Sequence, residues 1–377
     1  MTDIPGDTEL PASSPPCRIS ARPLAGFTSD LLVQAECHRT VAATSLVHTH
    51  GVGVVYAVDP QRRAYARPDA AGAIHYTRKH APHADILIDA SLYTGKNRKF
   101  ASAAPQRDWI SFQHYHGLTW ALTDSGYCAD GDLGGLTATL QRGAALGPRV
   151  IVALPLAGSW VVDEASTVKD LIDRHSTPVA LMVEDEKDPF DQPGAVKGLV
   201  EILGAETPVL LLRSDAAALG AIAHGAAGAA VGTTSTYRHI YPLRNGGGGA
   251  QNLSFFIPAL LGYFLNSRFE NSYRLDPSLP AWRCDCTYCA GGDLTWIASD
   301  SVPADAAFKH SVAALGDIGA ALTAAVSAGL SAPAAWTQLC LQAQLEHFTV
   351  SEATDGLWLP KDSLAQWVRV SPSAVGV

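Results

Sequence analysis

Arg149-Val-Ile-Val-Ala-Leu-Pro155, Pro178-Val-Ala-Leu-Met-Val-Glu184 and Pro208-Val-Leu-Leu-Leu-Arg213 are apolar, β-branched runs that stop at a polar residue or a proline. Strands that are apolar on both faces belong to a sheet covered on both sides. Working outward, the same pattern recurs at Asp85-Ile-Leu-Ile-Asp89, Trp120-Ala-Leu-Thr-Asp124 and Gly228-Ala-Ala-Val-Gly232. Ala-rich segments of helical period lie near residues 133–146, 163–175, 192–204 and 215–225. This alternation predicts an α/β fold with a parallel sheet, either a closed TIM-type (β/α) barrel or a doubly wound sheet. The strand ends favour the barrel, because they carry Asp89, Asp124, Glu184, Arg213 and the pair Arg238/His239. Barrel enzymes gather their site residues at that C-terminal rim. No Gly-x-Gly-x-x-Gly follows the first strand, which speaks against the dinucleotide-binding form of the doubly wound sheet.

The chain then divides into a flexible tail (1–20), a lead-in (21–83) with a strand at Val52 to Val58, a barrel (84–245) and a zinc-binding, helical C-terminal part (246–377). After Pro242 a Gly-rich turn (Gly246 to Gly249) leads to an apolar helix over Leu253 to Leu265, and further helices are expected at about 303–328 and 332–347. Apolar residues make up 47% and charged residues 17%, which excludes wholesale disorder. The net charge of −9 weighs against a uniformly basic nucleic-acid sleeve, although Lys96, Arg98, Lys99 and Arg107 form a local basic patch. No run of about 18 apolar residues is present, and the acidic, Pro-rich start does not read as a signal segment, so no membrane association and a cytoplasmic location are expected.

Three of the seven cysteines fall in Cys284-Asp-Cys286-Thr-Tyr-Cys289, while Cys17, Cys37, Cys128 and Cys340 are scattered. That is metal-site usage rather than a disulfide framework. Farther on, Phe308-Lys309-His310 opens a segment of helical period that can return one imidazole. Three thiolates and one nitrogen satisfy tetrahedral Zn²⁺ with no open position, which is a structural site. His347 is the competing fourth ligand.

The order Cys-x-Cys-x-x-Cys, then a distant His, after an α/β barrel, resembles the zinc subdomain of the tRNA-guanine transglycosylase family. The strand ending Thr123-Asp124-Ser125-Gly126 is similar to that family's Thr-Asp-Ser-Gly strand. Together the two cover roughly residues 110–315. The resemblance implies base exchange, by a pentosyltransferase mechanism, of a guanine or 7-deazaguanine in tRNA or DNA, with Asp124 as proton donor or acceptor and Ser125 and Gly126 beside it. A homodimer or a partner protein is a further expectation. The family's nucleophilic aspartate does not carry over, because the last strand and its extension, Gly228 to His239, hold no carboxylate. Either Asp89 takes that role or the chemistry is lost or changed. The alternatives are therefore a silent member that binds nucleic acid or a partner, and an unrelated barrel enzyme acting on a phosphorylated small molecule.

Asp89 precedes Tyr93-Thr-Gly-Lys96-Asn-Arg98-Lys99, which reads as a phosphate-binding loop or a solvated turn. Glu184 could read a base edge or sit in a solvated acidic rim. Arg213 should face a ligand anion or a carboxylate, Asp215 or Glu184. Arg238 and His239 lie where barrels commonly hold phosphate. His48 and His50 are expected at the surface.

Overall fold

The computed structural model describes residues 16–243, 252–354, 356 and 358–371. Eight parallel strands alternate with helices: β1 (Leu31–Glu36), α1 (Thr40–His50), β2 (Gly53–Ala57), α2 (Ala66–His80), β3 (Ile86–Asp89), α3 (Arg107–Tyr115), β4 (Ala121–Leu122), α4 (Leu133–Ala144) and β5 (Val150–Ala157). After β5 come α5 (Ser159–Val162), α6 (Ala165–His175), β6 (Val179–Glu184), α7 (Ala195–Leu203), β7 (Val209–Ser214), α8 (Ala217–Ala223) and β8 (Gly228–Gly232). The strand order is β3-β2-β1-β8-β7-β6-β5-β4. First and last strands pair in parallel, Leu31 opposite Ala229 and Val33 opposite Val231. An open doubly wound sheet does not join its first strand to its last in this way, so the fold is a nearly closed (β/α)8 barrel.

The barrel begins earlier than the expected Ala84, since β1, α1, β2 and α2 all lie in the segment read as a lead-in. The signal there is weak for a physical reason. Strand β1 carries a buried glutamine, Gln34, in the middle of its apolar run, and α1 is Thr- and His-rich with little amphipathic contrast. Residues 16–30 seal the bottom of the barrel. Asp30 accepts the backbone N–H groups of Ile19 and Ser20 at 2.7 and 2.8 Å, and Asp85 accepts those of Thr28 and Ser29 at 2.7 and 2.9 Å. Burial raises the pKa of both carboxyls.

The ring is incomplete between β3 and β4, and the chain repairs it higher up. Strand β4 is short because Asp124 to Gly126 leave the ladder, after Thr123 has donated its N–H to the Ile151 carbonyl at 3.0 Å. The backbone then resumes pairing at Tyr127, which donates to the Lys99 carbonyl at 2.8 Å and accepts from Ala101 at 2.9 Å. Gly126 permits that approach, because a Cβ there would stand 2.1 Å from the Phe100 carbonyl oxygen.

Beyond the barrel, Leu253 to Leu265 is not the expected helix but an antiparallel hairpin, β9 (Ser254–Ile257) and β10 (Gly262–Leu265), Phe256 opposite Tyr263. Aromatic and β-branched residues around Pro258 favour strands over helix. The rest is α9 (Asn266–Leu275), α10 (Trp296–Ser299), α11 (Pro303–Ser327), α12 (Ala332–Ala353) and α13 (Asp362–Val370). Helix α11 packs on α1 and β9, α12 on α8 and α13 on α7, so the C-terminal part clasps the outside of the barrel. His50 is buried there, its ring against Gly316, rather than at the surface. The turn Gly246 to Gly249 lies outside the described residues. Among the described residues no helix is long and apolar enough to cross a membrane.

Gly126→Ala is expected to destabilise the protein by at least about 2 kcal/mol, since backbone rather than a movable side chain opposes the added methyl. Urea unfolding measures it; an unchanged midpoint would show that the β3–β4 seam does not need this close approach.

Candidate functional site

Cys284, Cys286, Cys289 and His310 are all buried, and their ligand atoms lie within 4.8 Å of one another. The cysteines form a knuckle in which Ala290 and Cys289 donate to the Cys286 carbonyl and Gly291 donates to that of Cys284. Ala290 and Gly291 both have left-handed backbones, φ 48° and 81°, which turn the chain back on itself. His310 arrives from the second turn of α11, and its Nε2 lies 2.7 Å from the Phe256 carbonyl of β9. That carbonyl can only accept, so Nε2 carries the proton and Nδ1 offers its lone pair to the sulfurs.

Nδ1 stands 3.2 Å from Cys289 Sγ and 3.5 Å from Cys286 Sγ. Bond lengths of about 2.3 Å to sulfur and 2.0 Å to nitrogen in a tetrahedron separate those atoms by about 3.5 Å. Trp296 Nε1–H donates to Cys289 Sγ at 3.3 Å and the Cys286 N–H to Cys284 Sγ at 3.4 Å, both of which suit thiolates. The cluster can therefore hold a metal such as zinc. His347 is excluded as a ligand, because its two ring nitrogens face the carbonyls of Trp358 and Leu260, each at 3.1 Å.

At the barrel mouth most strand-end charges neutralise one another. Asp89 and Arg213 form a buried ion pair at 3.1 Å, with side chains 2% and 1% exposed. Asp89 Oδ2 also accepts Gln34 Nε2–H at 2.9 Å and the Tyr93 hydroxyl at 2.7 Å, while Oδ1 accepts the Ser91 N–H. Arg213 in turn donates to Tyr93, the Thr236 carbonyl and Ser91. The partner of Arg213 is thus Asp89, not Asp215 or Glu184. Glu184 is held by Arg98 and accepts the Tyr127 hydroxyl at 2.5 Å. Asp188 and Asp215 share Lys361, at 2.9 and 3.1 Å; burial and the neighbouring Asp215 push the Asp188 carboxyl up to about 7.

Arg238 lies over the Tyr263 ring at 3.9 Å and donates to Ser254 Oγ, so it clamps the β9–β10 hairpin to the barrel. His239 is buried beside Tyr241, its Nε2 without a partner among the described residues, and burial pushes its pKa down to about 4. Ser125 turns inward, its hydroxyl 2.7 Å from Thr123 Oγ1. Gly126 serves the seam.

Asp124 differs from its neighbours. Its Oδ1 accepts the Gln106 N–H at 2.8 Å, and among the described residues no cation lies within ion-pair distance. The residue is 8% exposed and lines a cavity of about 460 Å³ with Arg63, Arg67, Lys99, Leu92 and Trp109. Burial raises its pKa, opposed by the Gln106 N–H and by the charges of Lys99 and Arg67. A larger groove of about 700 Å³ lies between α7 and α13, away from every strand end, and brings no strand-end group.

Sequence reasoning did not single out Gln34, Tyr127 or Lys361, which with Tyr93 saturate the mouth, nor Arg63, Arg67 and Trp109, which line the cavity. Arg62-Arg63 just ahead of α2 was a visible basic signal in a segment whose strands were unassigned.

No model of a known protein family matches the chain, and no curated protein matches it. Among solved structures it is similar to tryptophan synthase from Pyrococcus furiosus, at 10% identity and a TM-score of 0.33, covering 54% of this chain and 86% of that one. It is also similar to the carboxyl transferase domain of pyruvate carboxylase from Rhizobium etli, at 10% identity and a TM-score of 0.38, covering 93% of this chain and 61% of that one. Likeness at this level carries no statement about activity.

Two outcomes are expected. Purified protein should carry one zinc per chain, and Cys286→Ala should lose it and expose the C-terminal helices to protease, because binding and local folding are coupled; a folded, metal-free wild type in elemental analysis would contradict this. The second concerns pH. Unfolded histidine takes its proton near 6.5, whereas folded His239 resists until about 4. His239 therefore contributes stability above pH 6.5 that is lost as pH falls toward 4, roughly 3 kcal/mol in all. Denaturant unfolding of His239→Phe across that range should show a correspondingly shallower acid limb.

Proposed function

We propose that this chain is a transglycosylase-like barrel enzyme that acts on a guanine or 7-deazaguanine nucleoside unit of tRNA or DNA, with Asp124 as its acid/base group. The zinc held by Cys284, Cys286, Cys289 and His310 is structural in this reading. The observation that carries it is Asp124, the strand-end carboxylate left unpaired beside a cavity when Asp89 and Glu184 are bound to arginines. The order of barrel, Thr-Asp-Ser-Gly strand and Cys₃His cluster adds support. A buried carboxylate of raised pKa beside a cavity suits proton exchange with a purine ring nitrogen or its exocyclic oxygen as the base leaves.

A second reading is a silent relative that binds nucleic acid or a partner without turnover. It is favoured by the engagement of Asp89: a carboxylate saturated by Arg213, Gln34 and Tyr93 is a poor nucleophile toward a sugar carbon.

Incubation with tRNA or duplex DNA and labelled guanine or 7-deazaguanine separates the two. Label should enter the nucleic acid, and Asp124→Asn should lower the rate by about 10²-fold or more with fold and zinc content intact. Binding without incorporation would select the silent relative. Neither binding nor incorporation would leave an unrelated barrel enzyme.

A further inference from the structure

The Asp124 cavity is electrically unlike the rest of the barrel mouth. Elsewhere Arg98 is paired with Glu184, Arg213 with Asp89, and Lys361 with Asp188 and Asp215, while Arg238 rests on the Tyr263 ring and Ser254. Around the cavity, Arg63, Arg67 and Lys99 face the single carboxylate of Asp124. Arg67 and Lys99 make no ion pair or hydrogen bond through their side chains among the described residues. Arg63 is anchored to the Asn97 carbonyl at 3.0 Å through Nη2, while its Nε is buried and has no partner among the described residues.

Three cations kept together repel one another, and an anion would relieve that repulsion. The lining also holds the apolar side chains of Val58, Ala90, Leu92 and Trp109. A volume of about 460 Å³ suits a small molecule with one flat apolar part and one charged end.

We propose that the cavity is a phosphate-ester site for a purine nucleotide, in which Arg63, Arg67 and Lys99 hold the phosphate and Asp124 meets a donor on the base. The placement of the base rests on the reading of Asp124 given above; the phosphate site does not. Guanidinium and ammonium groups together match a phosphate's oxygens, the arginines by paired N–H groups and the lysine as a point charge. The same chemistry is offered by a free nucleotide and by a nucleotide within a polynucleotide.

Isothermal titration of the zinc-loaded full chain with inorganic phosphate, guanosine, guanosine 5′-monophosphate and an anticodon-arm RNA tests this. The double variant Arg67→Gln/Lys99→Gln alters side chains that reach solvent and leaves the Lys99 backbone in the seam, so thermal stability should hold. Guanosine 5′-monophosphate should bind wild type at least about tenfold more tightly than guanosine at low salt. In the double variant that advantage should disappear while guanosine affinity stays.

Guanosine binding with no gain from the phosphate would overturn the anion site and leave the base reading standing. Competition by inorganic phosphate in wild type but not in the double variant, without guanosine binding, would keep the anion site and remove the base reading. A phosphate advantage that persists in the double variant overturns the assignment to these cations. If the RNA outcompetes the mononucleotide and loses affinity in the double variant, the phosphate is that of a polynucleotide; the reverse order makes it a free nucleotide.

Discussion

The buried pair of Asp89 and Arg213 governs the upper half of this barrel. It joins the end of β3 to the end of β7 across the interior, and Gln34 of β1 ties in a third strand by donating to Asp89 and accepting the Arg213 N–H. Two charges taken out of water are tolerable only when their remaining hydrogen-bonding capacity is met, and Tyr93, Ser91 and the Thr236 carbonyl meet it. Arg213 accepts a left-handed backbone, φ 50°, to reach this position. The centre of the mouth is thereby filled with saturated polar groups, and the cavity beside Asp124 lies at the periphery, toward β2, β3 and β4.

That periphery is also where the barrel fails to close. The gap between β3 and β4 leaves Asp124 to Gly126 outside the ladder, and the cavity opens beside this interruption. The loop after β3 turns Arg98 toward Glu184 and Lys99 toward Asp124, so two adjacent basic residues serve opposite ends, one in a structural ion pair and one at an open site.

The metal cluster depends on the hairpin that replaces an expected helix. Phe256 of β9 orients the His310 ring through its carbonyl, and its N–H is accepted by Ser311, the next residue of α11. The hairpin and α11 thus hold each other in register around the knuckle. Because α11 also packs on α1, a metal held there would brace the barrel wall as well as its own subdomain.

Residue pattern alone determined the parallel α/β alternation from Ala84 onward and the thiol set Cys284, Cys286 and Cys289, because apolar period and thiol spacing are local properties; it favoured the barrel and His310, and the pairing of β1 with β8 and the engagement of His347 elsewhere decided both. Its failures are equally physical. Strand β1 was hidden by Gln34, whose polarity makes sense only once Asp89 and Arg213, far away in sequence, are brought against it. The hairpin was mistaken for a helix because a short apolar run has no decisive period. Which of Asp89, Asp124 and Glu184 stays unpaired could not be read from strand ends that look alike. Pairing is a matter of distance across the barrel, and only the tertiary structure sets Arg213 on Asp89, Arg98 on Glu184, and leaves Asp124 among cations without a bond to any of them.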